Sequence, residues 1–131
     1  MASRADDWLR QAKRDLEHAR NALGQGTFEW AAFAAQQSAE KAVKAVYQHL
    51  GAEARGHSVT QLLAALPAAV RPATELIEAG KELDRHYVAP RYPNSYPGGA
   101  PMDFYTRGEA ERALNAAERI IEHCQHHVLR S

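Results

Sequence analysis

The segment from Ala31 to Ala42 reads Ala-Ala-Phe-Ala-Ala-Gln-Gln-Ser-Ala-Glu-Lys-Ala. It constrains the fold more than any other part of the chain. Small side chains cover more than one face of this helical stretch, so neighbouring helices can approach it closely from several directions. That pattern predicts the central element of a helical bundle, running from about Phe28 to Leu50 and ended by Gly51.

The flanking segments supply its neighbours. Residues 5 to 23 place Trp8, Leu9, Ala12, Leu16, Ala19 and Leu23 at three- and four-residue spacings. This is an amphipathic helix with Ser3, Asp6 and Asp7 at its start and Gly24 and Gly26 at its end. Ser58 and Gln61 form the Ser-x-x-Gln pattern of a capping box before Leu62 and Leu63, predicting a short helix limited by Pro67 and Pro72. Residues 73 to 87 predict a fourth helix on Leu76, Ile77, Ala79, Gly80, Leu83 and Tyr87. Thr106 and Glu109 open a last long helix striped by Ala110, Ala113, Leu114, Ala117, Ile120, Ile121 and Val128. With no strand pattern, repeat or linker, residues 1–131 are expected to form one all-α domain. Its expected form is an antiparallel up-and-down bundle of four long helices plus a short one.

Between Val88 and Tyr105 the helical period stops, and Pro90, Pro93, Pro97 and Pro101 forbid its return. A long loop in a compact domain is commonly functional. Here it follows Leu83-Asp84-Arg85-His86-Tyr87 directly, so charged and aromatic groups crowd one turn and one stiff segment.

Composition narrows the function. Sixteen basic residues balance sixteen acidic ones, which leaves no surplus positive charge for duplex DNA or an acidic membrane surface. No apolar run approaches the ~20 residues of a membrane span. The lone Cys124 and the lack of a signal-peptide core near the start predict a cytoplasmic protein. Cys124 itself is expected to be a buried packing residue.

Several runs together carry a resemblance. They are Trp8-Leu9-x-x-Ala12-x-x-Asp15-Leu16, Phe33-Ala34-Ala35-Gln36-Gln37-x-Ala39-Glu40-Lys41-x-x-Lys44-Ala45, His57-Ser58, Leu83-Asp84-x-x-Tyr87 and Arg91-Tyr92-Pro93. In this order they resemble the HEPN domain family (higher eukaryotes and prokaryotes nucleotide-binding), from about Ala5 to Val128. The resemblance implies an antiparallel bundle that dimerises and binds nucleotide or RNA. It also implies a minimal nucleotidyltransferase as partner in a toxin–antitoxin type of system. Many members are metal-independent ribonucleases using an arginine and a histidine with four to six residues between them. Only Arg119 and His126 fit that spacing here, near the end of the last helix. A histidine-rich helix end that complements the helix dipole is the competing reading.

The candidate phosphate- or nucleotide-binding residues are Lys41, Lys44, His57, Asp84, Tyr87, Arg91 and Tyr92. Lys41 and Lys44 can line a groove, although Glu40, four residues before Lys44, also predicts a surface ion pair. His57 can contact phosphate beside the free N–H groups of the helix start, or simply fix the adjoining loop. Arg91 can clamp phosphate through its planar fork with the tyrosines as stacking platforms, or be buried against Asp84 as a loop anchor. His123, His126 and His127 fall on one side of the last helix, but a metal would need a further ligand nearby. No metal or cofactor is expected.

Overall fold

The computed structural model describes residues 3–129. Six α-helices follow in order: α1 (Ala5–Gln25), α2 (Phe28–His49), α3 (Val59–Ala64), α4 (Thr74–Asp84), α5 (Pro101–Phe104) and α6 (Arg107–Leu129). A 3-10 turn spans Pro93–Ser95. The described residues form no strand, and no helix among them is long and apolar enough to cross a membrane.

The alanine-rich segment has the expected place. Helix α2 touches α1, α3, α4, α5 and α6, and Ala31, Ala32, Ala35, Ala39, Ala42 and Ala45 have no exposed surface. A methyl group is all that fits where helices approach on opposite sides. Leu9, Leu16, Val43, Val46, Leu63, Leu83, Leu114 and Ile120 complete one continuous core. Cys124 is fully buried within it, and that burial pushes its thiol well above the ordinary range, leaving an inert packing group.

Local signals act largely as read, with informative differences. Gly26 takes the left-handed conformation (φ 82°) and its N–H closes α1 on the Ala22 and Leu23 carbonyls. Gly24, expected to stop the helix, lies inside it. At α6 the capping box is reciprocal: Glu109 N–H donates to Thr106 Oγ1 at 3.2 Å, and Thr106 N–H donates to Glu109 Oε1 at 3.3 Å. Helix α4 ends at Asp84, earlier than the Tyr87 expected. Pro90 has no N–H to offer the carbonyl of His86, so the chain leaves the helix in successive turns.

The proline-rich segment is not wholly irregular. Pro93 opens the 3-10 turn and Pro101 opens α5, because a ring with fixed φ and no N–H is suited to the first helical position. Pro90 is fully buried, and Tyr96 stacks on Phe104 at 4.5 Å between ring centres. Tyr105 is buried beneath them. The segment is thereby fastened to the bundle at several points.

Candidate functional site

Asp84 and Arg91 do not pair. The Asp84 carboxylate reaches across to α3, where Oδ1 accepts Val59 N–H at 2.7 Å. Its Oδ2 accepts Ser58 Oγ–H at 2.8 Å and Thr60 N–H at 3.3 Å. It therefore fills the start of α3 with negative charge, and those N–H groups are not open to a phosphate beside His57. Ser58 Oγ accepts Gln61 N–H at 3.1 Å, the expected half of that capping box. Asp84 supplies the remainder. Close approach of the two helices depends on Gly80, where an added Cβ would lie 3.0 Å from Thr60 N.

Arg91 is held by other means. Its Nε–H donates to the Tyr87 carbonyl at 2.8 Å. The guanidinium lies over the rings of Phe33, Tyr87 and Tyr92 at 4.6, 4.7 and 5.2 Å. These contacts use its faces and inner edge. No carboxylate pairs with it among the described residues, which leaves Nη1 and Nη2 as a fork of charged donors. Tyr92 is half exposed beside it. An adjoining open groove of about 300 Å³ contains Trp30, Phe33 and Lys41, and Trp30 meets Phe33 edge-on at 6.3 Å.

Behind this arginine stands a buried polar row on α2. Gln36 is fully buried. Its Nε2 donates to Glu40 Oε1 at 3.0 Å and to the His57 carbonyl at 3.1 Å, while its Oε1 accepts Gln37 Nε2 at 2.7 Å. Glu40 Oε2 accepts Lys44 Nζ at 3.0 Å and faces His57 Nδ1 at 3.1 Å. His57 stacks on Tyr87 at 4.5 Å with 17° between planes. The expected surface ion pair of Glu40 and Lys44 is therefore a largely enclosed one, with side-chain exposures of 7% and 14%. Burial of the carboxylate is tolerable because each of its oxygens has a donor.

The structure thus gathers Lys44, His57, Tyr87, Arg91 and Tyr92 in one region. Lys41 instead turns toward α1 and pairs with Asp15 at the far side of the Trp30–Phe33 groove, and Asp84 is drawn away to cap α3. Phe33, Gln36 and Glu40 belong to the cluster and were missing from the candidates. A signal for them exists in the chain: Phe33, Gln36, Glu40 and Lys44 recur at spacings of three and four, which puts them on one side of a helix.

Arg119 and His126 do line a common groove, along the connection into α4 with Arg71, Glu75 and Glu122. They stand about 10 Å apart along the helix axis. His123 in the same groove donates Nε2–H to the Val70 carbonyl at 2.8 Å and so ties α6 to that connection. This groove shares no residue with the Arg91 cluster.

The comparisons with known proteins agree with one another. The HEPN domain family matches residues 5–127. A Methanocaldococcus jannaschii protein named as a candidate toxin, MJ1304, is 32% identical over 124 residues, spanning 88% of this chain and 82% of its own length. The crystal structure of TT1696 from Thermus thermophilus is 45% identical, with a TM-score of 0.93 over 96% of this chain and 99% of that one. ST0689, described as an archaeal HEPN homologue, is 40% identical, with a TM-score of 0.81 over 98% of this chain and 99% of its own. The match runs from the first turn of α1 to the last of α6, and the helical arrangement is shared throughout: this chain belongs to the HEPN domain family.

Proposed function

We propose that the protein binds a nucleotide or RNA phosphate at Arg91 and works as the HEPN component of a toxin–antitoxin type of system, as a homodimer beside a minimal nucleotidyltransferase. One observation carries the binding reading: the guanidinium is fixed by three aromatic rings and one carbonyl while its outer fork is left without a carboxylate. An arginine serving only as an anchor would have its charge matched. Here the geometry leaves two parallel donors for phosphate oxygens, with Tyr92 and the Trp30–Phe33 groove available for a base. The toxin setting draws support from the named relative, and the partner from the family resemblance.

Binding is tested with a short single-stranded RNA, made 2′-O-methyl so that it cannot be cut. Arg91→Lys is expected to weaken binding about tenfold or more, since a charged bidentate contact is worth roughly 1.5–3 kcal/mol. The charge survives this change but the planar fork does not. Affinity equal to wild type would place the ligand elsewhere. For the dimer, Val88, Met102 and Phe104 are exposed apolar side chains that a second copy would cover, with Trp30 and Tyr92 left to the ligand. Sedimentation at micromolar concentration is expected to give the dimer mass; a monomer alone would refute it.

A further inference from the structure

In the groove beside Trp30 and Phe33, one side chain has its orientation dictated from the core. A carboxylate and a carbonyl only accept, so the Gln36 atom that meets both Glu40 Oε1 and the His57 carbonyl is Nε2. Gln36 Oε1 is then an acceptor, and Gln37 must turn its Nε2–H to it, at 2.7 Å. Lys44 fixes Glu40 at the other end of this row. The Gln37 amide is thereby held in one of its two flips, whereas a glutamine that only covered a helix surface would take either. Gln37 lines the groove, and its Oε1 and second N–H have no partner among the described residues. Asp15, on the opposite wall, is already occupied by Lys41 and Gln11. Trp30, Phe33 and Ala34 supply apolar surface, and Trp30 is half exposed. An amide of fixed sense therefore stands beside open aromatic rings.

We propose that this groove is a base subsite that selects adenine, and that Gln37 is the residue that reads it. The inference deepens the nucleotide-binding reading above and rests on it. An amide with an open carbonyl and an open N–H is matched by a donor set beside an acceptor. Adenine presents that pair on two edges, N6–H with N1 and N6–H with N7, so the ring satisfies Gln37 in either orientation. Guanine presents it at N1–H with O6, but its N7 edge shows acceptors only, one of which would face the Gln37 carbonyl. A pyrimidine carries the pair on its base-pairing edge and covers less of Trp30 and Phe33. The groove, at about 300 Å³, is at the lower end of ligand pockets, which suits one base and not a dinucleotide. Phe33 lines it and also carries the Arg91 guanidinium at 4.6 Å. Subsite and phosphate contact thus border on one ring. Gln36 and Glu40 act through Gln37, as positioning residues that set its flip.

The test titrates the full chain with the 5′-monophosphates of adenosine, guanosine, cytidine and purine riboside, the last lacking only the 6-amino group of adenosine. Binding is followed by the NMR signals of the Gln37 amide and the Trp30 indole. Adenosine monophosphate is expected to move both signals and to bind about tenfold more tightly than the purine riboside nucleotide. Gln37→Met, similar in length but without the amide, is expected to bring the two nucleotides to nearly equal affinity. The comparison of nucleotides on wild type needs no variant, so it decides even if Gln37→Met does not fold. Equal affinity for these two nucleotides in wild type, or a preference that survives in Gln37→Met, overturns the role of Gln37. Tighter binding of the guanosine or cytidine nucleotide overturns adenine. Arg91→Lys is expected to weaken all four nucleotides alike and to keep the preference. If it weakens none while the adenine preference stands, the phosphate clamp fails and the base subsite survives. Signals that shift with protein concentration and not with nucleotide would show a second copy in the groove and overturn the subsite.

Discussion

Asp84 and Arg91 belong to one short stretch of chain, and each has a task that the other does not share. Asp84 accepts three hydrogen bonds at the start of α3, where a negative charge also meets the positive end of a helix. Asp84→Asn keeps the shape, loses the charge and one acceptor, and is expected to cost about 1–3 kcal/mol of stability. The same variant should bind the 2′-O-methyl RNA with wild-type affinity, because Arg91 is oriented by Tyr87, Phe33 and Tyr92. A thermal melt and a titration on one preparation check both halves. A loss of affinity without a loss of stability would mean that Asp84 positions the arginine after all. At this scale the chain was partly legible. Arg91, Tyr87 and Tyr92 stand out because arginine and tyrosine crowd a proline-bounded segment. Glu40 does not stand out, since an i,i+4 pair with Lys44 has the same spacing whether solvent or helices surround it. Asp84 was read against the nearer arginine because its true partners lie at positions 58 to 60, beyond the reach of local spacing.

Elements are joined by polar links as well as by the apolar core, and the link from α4 to Tyr105, between α5 and α6, can be titrated. His86 is buried at the end of α4, with Nε2 3.0 Å from Glu82 Oε2 and Nδ1 2.8 Å from the Tyr105 hydroxyl. Nε2–H donates to the carboxylate, so Nδ1 accepts from Tyr105. Burial lowers the pKa of His86 from its ordinary value, and the hydrogen bond and charge of Glu82 only partly oppose it. Glu109 acts in the same direction as Glu82, and Arg85 in the direction of burial. The unfolded chain therefore takes up a proton at His86 before the folded chain does. Stability from this source is flat above pH ~6.5 and falls as pH drops from there toward the folded pKa. Melting temperatures of wild type and His86→Gln between pH 7.5 and pH 5.5 should diverge in slope, the variant being the flatter. Parallel slopes would show that the imidazole titrates as freely folded as unfolded. The helices themselves were legible from periodicity, while their ends depended on contacts outside the period. Prolines read as helix breakers at 93 and 101 instead begin the 3-10 turn and α5, since the same missing N–H that ends one helix suits the first position of another.

For the molecule as a whole, the alanine-rich α2 sets the architecture and the balanced charge sets the manner of binding. Small residues bring every other helix against one axis, and this was legible because alanine at successive positions has no other efficient use in a soluble bundle. Whether the exposed Val88, Met102 and Phe104 meet a partner was not legible, since an apolar side chain reads alike in a core and in an interface. Sixteen cations against sixteen anions leave no extended field to gather a polyanion. For RNA bound as proposed, a net charge of zero predicts a point contact at Arg91, with stacking, in place of a broad basic surface. Counterion release then supplies little of the affinity. Each phosphate neutralised on a single strand contributes about −0.7 to the slope of log K against log salt, so one or two contacts per site predict a slope of about −0.7 to −1.4. Titrations of the 2′-O-methyl strand across a range of salt concentrations measure this directly. A slope several times steeper would require a row of phosphate contacts along the bundle and would refute the point contact at Arg91. Arg91→Lys adds a control: its charge is intact, so affinity should fall while the slope remains, which separates loss of the fork from loss of the ion pair.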